Sequence, residues 1–373
     1  MFVPGWQTTS CCALERLRPE WEELFYASGT TNPFLHPAWQ LTWCDHFVAP
    51  EDVVVVVVRH HERLVCVAPF YRRHLGGPGS AGSTHLRAFG AGRHGELIET
   101  PGILVDPGCK RAAFRALTTH LLARERRWDW VEFPFGFDQG WFEPQWVEGE
   151  GGGRAPTVIH KGTKPCVVMP LADDWEKTVA GLKRNVRQSI HRGHNRLSRA
   201  SLPWQFEVVE AGGFPDFLAT LTRLHSARSS LTGKVRHPDV LADVQTRSFL
   251  EAVGSAVGGD DLIPCLLRAD GDVVAARLML RAGDTVYLSV SGFDPMFWDQ
   301  GVATTLLAEC LRFAIGQGAR SANLSTGIDV SKLRWSEDIQ RNEDFVVVAP
   351  RTRSRVAFSL YWQLRSDRIR FAG

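Results

Sequence analysis

At 373 residues, 44% hydrophobic and 23% charged, the chain is long enough for two domains with full cores and has an ordinary globular composition. A formal charge of +2 excludes a surface that coats nucleic acid everywhere, while leaving room for local basic patches. Eight scattered cysteines without a Cys-x-x-Cys pair argue against a disulfide framework and offer no zinc spacing.

No basic stretch followed by a long apolar one occupies Met1 to Gln7, and the apolar run Val53 to Val58 is far too short to cross a bilayer. The expectation is a soluble, cytoplasmic protein with no membrane span and no metal. Residues 11 to 27 read as a helix with Leu14, Leu17, Trp21, Leu24 and Phe25 on one face. Asn32-Pro33-Phe34-Leu35-His36-Pro37-Ala38-Trp39 then leads into an apolar helix through Trp43 and Phe47. Val53 to Val58 and Arg63 to Tyr71 pair as buried strands around a His60-His61-Glu62 turn, whose side chains read as solvated because a metal needs ligands converging from elsewhere. After a loop at Gly76 to Gly82, Asp106-Pro107 precedes a helix from about Lys110 to Arg127 and a strand from Trp128 to Phe133. The run Gly149 to Gly153 marks a linker.

A short strand, Cys166 to Pro170, leads into one long basic helix that starts on the acids Asp173, Asp174 and Glu176. Between Lys183 and Arg199 it carries six Lys or Arg residues and no acid, so it reads either as a solvated amphipathic face or as a seat for an anionic partner, tRNA included. Trp204 to Val209 forms a strand, Pro215 to Ser229 a helix containing His225 and Arg228, and about Asp239 to Val253 a further helix. Three consecutive strands follow (Leu262 to Arg268, Val273 to Arg281, Thr285 to Ser291), with Gly271-Asp272 and Gly283-Asp284 at the tight connections. Asp294-Pro295 and Gly301 then open a helix on which Val302, Leu306, Leu307, Cys310, Leu311 and Ala314 recur at helical spacing, and Ala322 to Ser325 is its return strand. The tail adds a strand, Phe345 to Ala349, and an arginine-rich helix.

Both halves thus contain a strand, an Asp-Pro turn, an amphipathic helix and a strand, which predicts an α/β (α+β) fold of two tandem lobes, 1–160 and 161–373, each with a mixed sheet flanked by helices. A helix start leaves backbone N–H groups unpaired and carries partial positive charge. Gly301-x-Ala303 lets an anion approach that backbone closely. The first half has Cys109, Lys110 and Arg111 at the corresponding place, and side chains there would block such an approach.

The stretch from Thr285 to Lys332 resembles motif A of the GNAT N-acetyltransferases, Gln/Arg-x-x-Gly-x-Gly/Ala, with Gly301 and Ala303 at its last two fixed positions and Trp298 where Gln or Arg is expected. Leu182-Lys183-Arg184-x-x-Arg187-x-x-Ile190-x-Arg192-Gly193, His225-x-x-Arg228-x4-Gly233-Lys234 and the Pro33 to Trp39 passage are more narrowly similar to the CelD/BcsL-like acetyltransferases, relatives of the FemAB aminoacyltransferases. The resemblance implies GNAT-like lobes, the first lacking the pyrophosphate loop. It also implies transfer of an acetyl or other acyl group from a coenzyme A thioester to a small-molecule, glycan or peptide amine. Val290, Ser291, Gly301, Val302, Ala303 and Thr304 would hold the coenzyme. His225 and Asp329 are candidate bases and Tyr287 a candidate acid, while Arg187, Arg228 and Lys332 are candidate acceptor ligands. For His225 the plainer alternative is a packed helix histidine. Two other functions stay open: aminoacyl transfer from tRNA bound on residues 183–199, and a non-catalytic module in polysaccharide synthesis.

Overall fold

In the computed structural model, the residues described are 2–7, 14–76, 82–91, 97–123, 127–135, 155–199, 203–231 and 237–370. The Gly149 to Gly153 linker, Gly233-Lys234, and most of the Gly76 to Gly82 loop lie outside them. The chain forms two compact units: Met1–Lys164 with Arg341–Gly373, and Pro165–Gln340. The tail expected with the second lobe therefore belongs to the first unit. The reason is pairing: β13 (Ile339–Val348) runs antiparallel to β6 (Trp130–Phe135) from Glu343↔Phe135 to Val348↔Trp130.

In the first unit the elements follow as β1 (Phe2–Gln7), α1 (Arg18–Ser28), α2 (Pro37–Phe47), β2 (Val53–His60), β3 (Arg63–Leu75), β4 (Ser83–Ala88), β5 (Leu104–Val105), α3 (Lys110–Leu122) and β6. The sheet order is β1-β2-β3-β4-β6-β13. Among the described residues of this unit only β4 and β6 are parallel neighbours in that order, paired at His85↔Trp130 and Leu86↔Val131. The helix expected to reach Arg127 stops at Leu122.

The second unit repeats this order. After β7 (Thr157–Pro170), α4 (Trp175–Gly181) and α5 (Arg184–Arg199), it runs β8 (Trp204–Val208), α6 (Phe214–Ser229), α7 (Val244–Ala256), β9 (Leu262–Ala269), β10 (Asp272–Ala282), β11 (Thr285–Phe293), α8 (Val302–Gly316), β12 (Ser321–Thr326) and α9 (Val330–Leu333). Its strands lie in the order β8-β9-β10-β11-β12-β7, again with one parallel pair, β11 and β12. Helix α10 (Thr352–Arg370) closes the chain. The single basic helix expected over 173–199 is two helices, because Leu182 is extended (ψ 154°) between them. Helix α7 starts at Val244 rather than near Asp239, because Asp243 caps it by accepting from the Thr246 amide at 3.2 Å.

The repeat extends to local chemistry. Asp106 accepts from the Gly108 amide at 2.7 Å and Asp294 from the Met296 amide at 2.9 Å, each opening a one-turn 3₁₀ segment. In the first unit that turn runs straight into α3, whereas in the second Trp298 to Gly301 intervene before α8. Each unit has its own core: Val54, Phe70, Phe114, Leu117 and Phe133 in the first, Val167, Leu267, Met279, Leu288 and Leu311 in the second. No helix among the described residues is long and apolar enough to cross a membrane.

At the end of the β4–β6 pairing sits a buried ion cluster. Glu132 accepts from Lys161 Nζ at 2.6 Å and from Arg87 Nε at 3.3 Å. Burial works to raise the Glu132 carboxyl, but Arg87 and Lys161 outweigh it and hold it at about 2. His85 stacks on Trp130 at 5.1 Å and is 1% exposed. Burial pushes its pKa down to about 3, against the opposing pull of Glu132. An unfolded histidine takes its proton near pH 6.5 and this one does not, so the stability it contributes is present above 6.5 and is lost as pH falls towards 3. We expect a His85→Phe chain, followed by urea unfolding between pH 6.5 and 4.5, to lose about 1.4 kcal/mol per pH unit of acid destabilisation relative to wild type.

Candidate active site

The parallel strands β11 and β12 pair over only three rungs, Thr285↔Ser321, Val286↔Ala322 and Tyr287↔Asn323, and then part. Their other neighbours show why. Met279↔Leu288 is followed by Arg277↔Ser291, so Ser289 and Val290 stand opposite Leu278 alone. On β12, Asn323↔Val168 is followed by Thr326↔Cys166, so Leu324 and Ser325 stand opposite Val167 alone. Both strands carry a β-bulge beyond the last shared rung, directly after Asn323 on β12 and after Leu288 on β11, which bends each out of the ladder and leaves an unpaired residue. Ser325 takes a left-handed backbone (φ 74°), unusual for a residue with a Cβ, and its amide donates to Asn323 Oδ1 at 2.9 Å.

At the far end of β11, Gly301 caps α8 in the left-handed region (φ 74°, ψ 29°), which glycine adopts without strain. Its carbonyl accepts from the Thr304 and Thr305 amides at 3.0 Å. Among the described residues no hydrogen bond reaches the amides of Val302 and Ala303. Among the described residues a Cβ on Gly301 would meet only Gly193 Cα of α5, at 3.7 Å, so none of their side chains fills the space beside it. Gly193 in turn is needed for this crossing, since a Cβ there would lie 2.6 Å from Thr305 Oγ1. Trp298 packs against Phe293 with ring centroids 5.5 Å apart. The Thr304 amide is thus committed, and Val302 and Ala303 keep the donors that an incoming anion needs.

The remaining candidates gather around Ser291. His225, 6% exposed on α6, lies with Nδ1 2.8 Å from the Ser291 carbonyl, and its Nε2 accepts from the Val240 amide at 3.3 Å. Both ring nitrogens are engaged, so His225 joins α6 to β11 and to the segment before α7. Arg228 donates to Ser291 Oγ at 3.2 Å and to His237 Nε2 at 3.0 Å, and lies over the Phe293 ring at 5.7 Å. Burial and the neighbouring Arg277 guanidinium bring its pKa down to about 10, with Asp329 pulling the other way. Asp329 is the N-cap of α9, where its Oδ1 accepts from the Ser331 amide at 2.9 Å, and its Oδ2 lies 3.8 Å from Lys332 Nζ. Burial raises its carboxyl, but the Ser331 hydrogen bonds and the Lys332 charge overcome this and hold it below the usual range. Lys332 Nζ also donates to the Thr326 carbonyl at the end of β12. Tyr287 is 2% exposed on the last shared rung. Arg187 stands apart from this group: its Nη1 donates to the Ala180 and Leu182 carbonyls at 2.9 Å, closing the end of α4.

Sequence reading missed Arg277 and His237, which share the corner with Arg228. Arg277 occupies the rung opposite Ser291 at the bulge, but a lone arginine in a strand gives no sign of this. Residues 184–332 match the family described as an acetyltransferase (GNAT) domain. The chain carries a GNAT acetyltransferase domain. It is by that domain an acyltransferase. The fold is similar to that of FemX (TM-score 0.61, 12% identity, covering 89% of this chain and 96% of that one). It is also similar to a conserved protein of unknown function from Bacteroides thetaiotaomicron VPI-5482 (0.56, 13%, 92% and 99%) and to L-PGS from Bacillus licheniformis (0.52, 11%, 93% and 96%). At these identities the likeness concerns the fold. No curated protein matches the sequence.

The contact between α6 and β11 is testable through Gly292, where a Cβ would fall 2.3 Å from the His225 backbone nitrogen and 2.5 Å from the Leu224 carbonyl carbon. Backbone cannot swing aside as a side chain does. A Gly292→Ala chain is expected to unfold in urea with a loss of about 1–3 kcal/mol, the usual cost of overpacking.

Proposed function

We propose that the second unit transfers an acyl group from a coenzyme A thioester to an amine on an acceptor that also carries an anionic group. The observation that carries this reading is the parting of β11 and β12 beyond Tyr287 and Asn323, beside a glycine-led helix start with two amides open. Gly301, Val302 and Ala303 would hold the pyrophosphate, Thr304 would close the turn, and the bulged Val290 with Ser291 would lie along the thioester arm. The coenzyme supplies an activated acyl carbonyl, and an unpaired bulge N–H is suited to receive the negative charge that develops on its oxygen. Arg228 and Lys332 bind the acceptor's anion, with Arg277 and His237 behind them. The attacking amine becomes strongly acidic as its N–C bond forms, so even the low-pKa carboxylate of Asp329 can take its proton. His225 acts as a positioning residue that fixes Ser291, and Tyr287 lines the floor where the strands part. We further read the first unit as a partner lobe without the pyrophosphate loop. The CelD/BcsL-like assignment and a cytoplasmic location belong to the same reading.

A second donor, aminoacyl-tRNA, is favoured by one feature: six Lys or Arg residues and no acid between Lys183 and Arg199. Incubation with acetyl-CoA and, separately, with charged tRNA decides between them by which donor loses its acyl group. For the coenzyme reading, Gly301→Glu should abolish transfer while the chain stays folded, because its carboxylate would occupy and repel the anion seat. Asp329→Asn should lower kcat/KM about 100-fold or more. Undiminished coenzyme affinity in the Gly301→Glu chain sinks this reading.

A further inference from the structure

The second unit holds a cavity of about 330 Å³ that the acyl-transfer reading does not use. That volume lies within the range of small-molecule sites. Phe214 at the start of α6, Val257 after α7, Leu262 and Ile263 on β9 and Phe313 near the end of α8 give it an apolar lining. The cavity is separate from the Gly301 corner. Helix α8 has 15 residues, and at roughly 1.5 Å per residue its two ends stand about 22 Å apart. Helix α6 likewise has Phe214 at its cavity end and His225 and Arg228 near its other end.

Glycines shape this space. A Cβ on Gly254 of α7 would fall 2.1 Å from the Phe214 ring, and one on Gly213 would fall 2.6 Å from Val209 Cγ1. The start of α6 is thereby held tight against α7 and the end of β8. Gly259 is different. It lines the cavity outside the left-handed region, and a Cβ there would meet nothing within 4 Å among the described residues. Room is left where a side chain could have taken it without strain.

The charges at the rim select what can enter. Glu210 and Asp260 are exposed lining residues, and among the described residues neither carboxylate has an ion-pair partner. Helix α7 ends at Ala256 beside them and adds the partial negative charge of its C-terminus. Arg281 is the cation in the lining, but its Nε donates to the Gly283 carbonyl at 3.2 Å and its Nη2 to the Gln317 carbonyl at 3.1 Å. It thus offsets the C-terminal end of α8. Two carboxylates against one guanidinium leave the rim negative, above an apolar lining.

We propose that this cavity binds a small organic monocation, its ammonium head at Glu210 and Asp260 and its apolar body against Phe214 and Phe313. The inference goes beyond the acyl-transfer reading and does not depend on it.

Phenethylamine is the probe, titrated calorimetrically into the full chain, with phenethyl alcohol and phenylpropionate as neutral and anionic counterparts. Wild type is expected to bind the amine saturably in the millimolar range or tighter, the alcohol about tenfold more weakly, and the carboxylate not measurably. Glu210→Gln/Asp260→Asn removes both rim charges at exposed positions and should weaken the amine about tenfold. Asp270→Asn removes an exposed acid just beyond the far end of β9 and should shift affinity less than about twofold. Gly259→Leu, and more so Gly259→Trp, should exclude the amine while the chain stays folded. Amine binding that persists in both filled chains lies elsewhere and overturns the site. Equal affinity for the three probes, full affinity in the double acid variant, or no saturable binding by wild type overturns it as well. No acyl donor is present in these titrations, so failure of the cavity and failure of the acyl-transfer reading are told apart.

Discussion

Two bulges, one on each of two parallel strands, are the constraint on which the candidate site depends. Parallel neighbours ordinarily stay zipped because each rung satisfies backbone donors and acceptors on both sides. Here Ser289-Val290 and Leu324-Ser325 each put one residue too many against their outer partners, and the strands separate. The separation opens polar backbone towards the helix start at Gly301. Around the ends of these strands Lys332 folds onto the end of β12, Asp329 caps α9 and Arg228 reaches Ser291. Ser325, held left-handed by its own Asn323, shows that the opening is built against local preference.

The doubling of the fold places this opening in context. The first unit repeats the strand order and its parallel pair, yet fills the corresponding end of that pair with Arg87, Glu132 and Lys161. A buried carboxylate between two cations is a poor guest room for another anion. The end of the parallel pair thus carries an ion cluster in the first unit and two bulges in the second.

Much of the scaffold was legible in the sequence because it rests on local rules. The alternation of apolar residues, the Asp-Pro caps and the glycine before Val302 each declare their geometry within a few residues. The duplicated Asp-Pro turn even disclosed the repeat. Three errors share a cause, since tertiary contacts set the boundaries: Leu182 breaks the basic helix, Asp243 rather than Asp239 starts α7, and the tail pairs with β6. The site was less legible. Bulges have no composition signal in Ser289-Val290 or Leu324-Ser325, and Arg277 meets Ser291 only across a strand pairing distant in the chain. His225, attractive by residue type, has its two nitrogens engaged by Ser291 and Val240, which no spacing could reveal.

Gly292 carries a consequence for how such a protein can change. Its hydrogen is all that separates β11 from the backbone of α6, so helix and strand are welded there at a fixed depth. New acceptors cannot be accommodated by lifting the helix. On the function proposed above, variation in the acceptor has to come from the lengths and charges of side chains hung on that rigid joint, with position 228 the nearest peg.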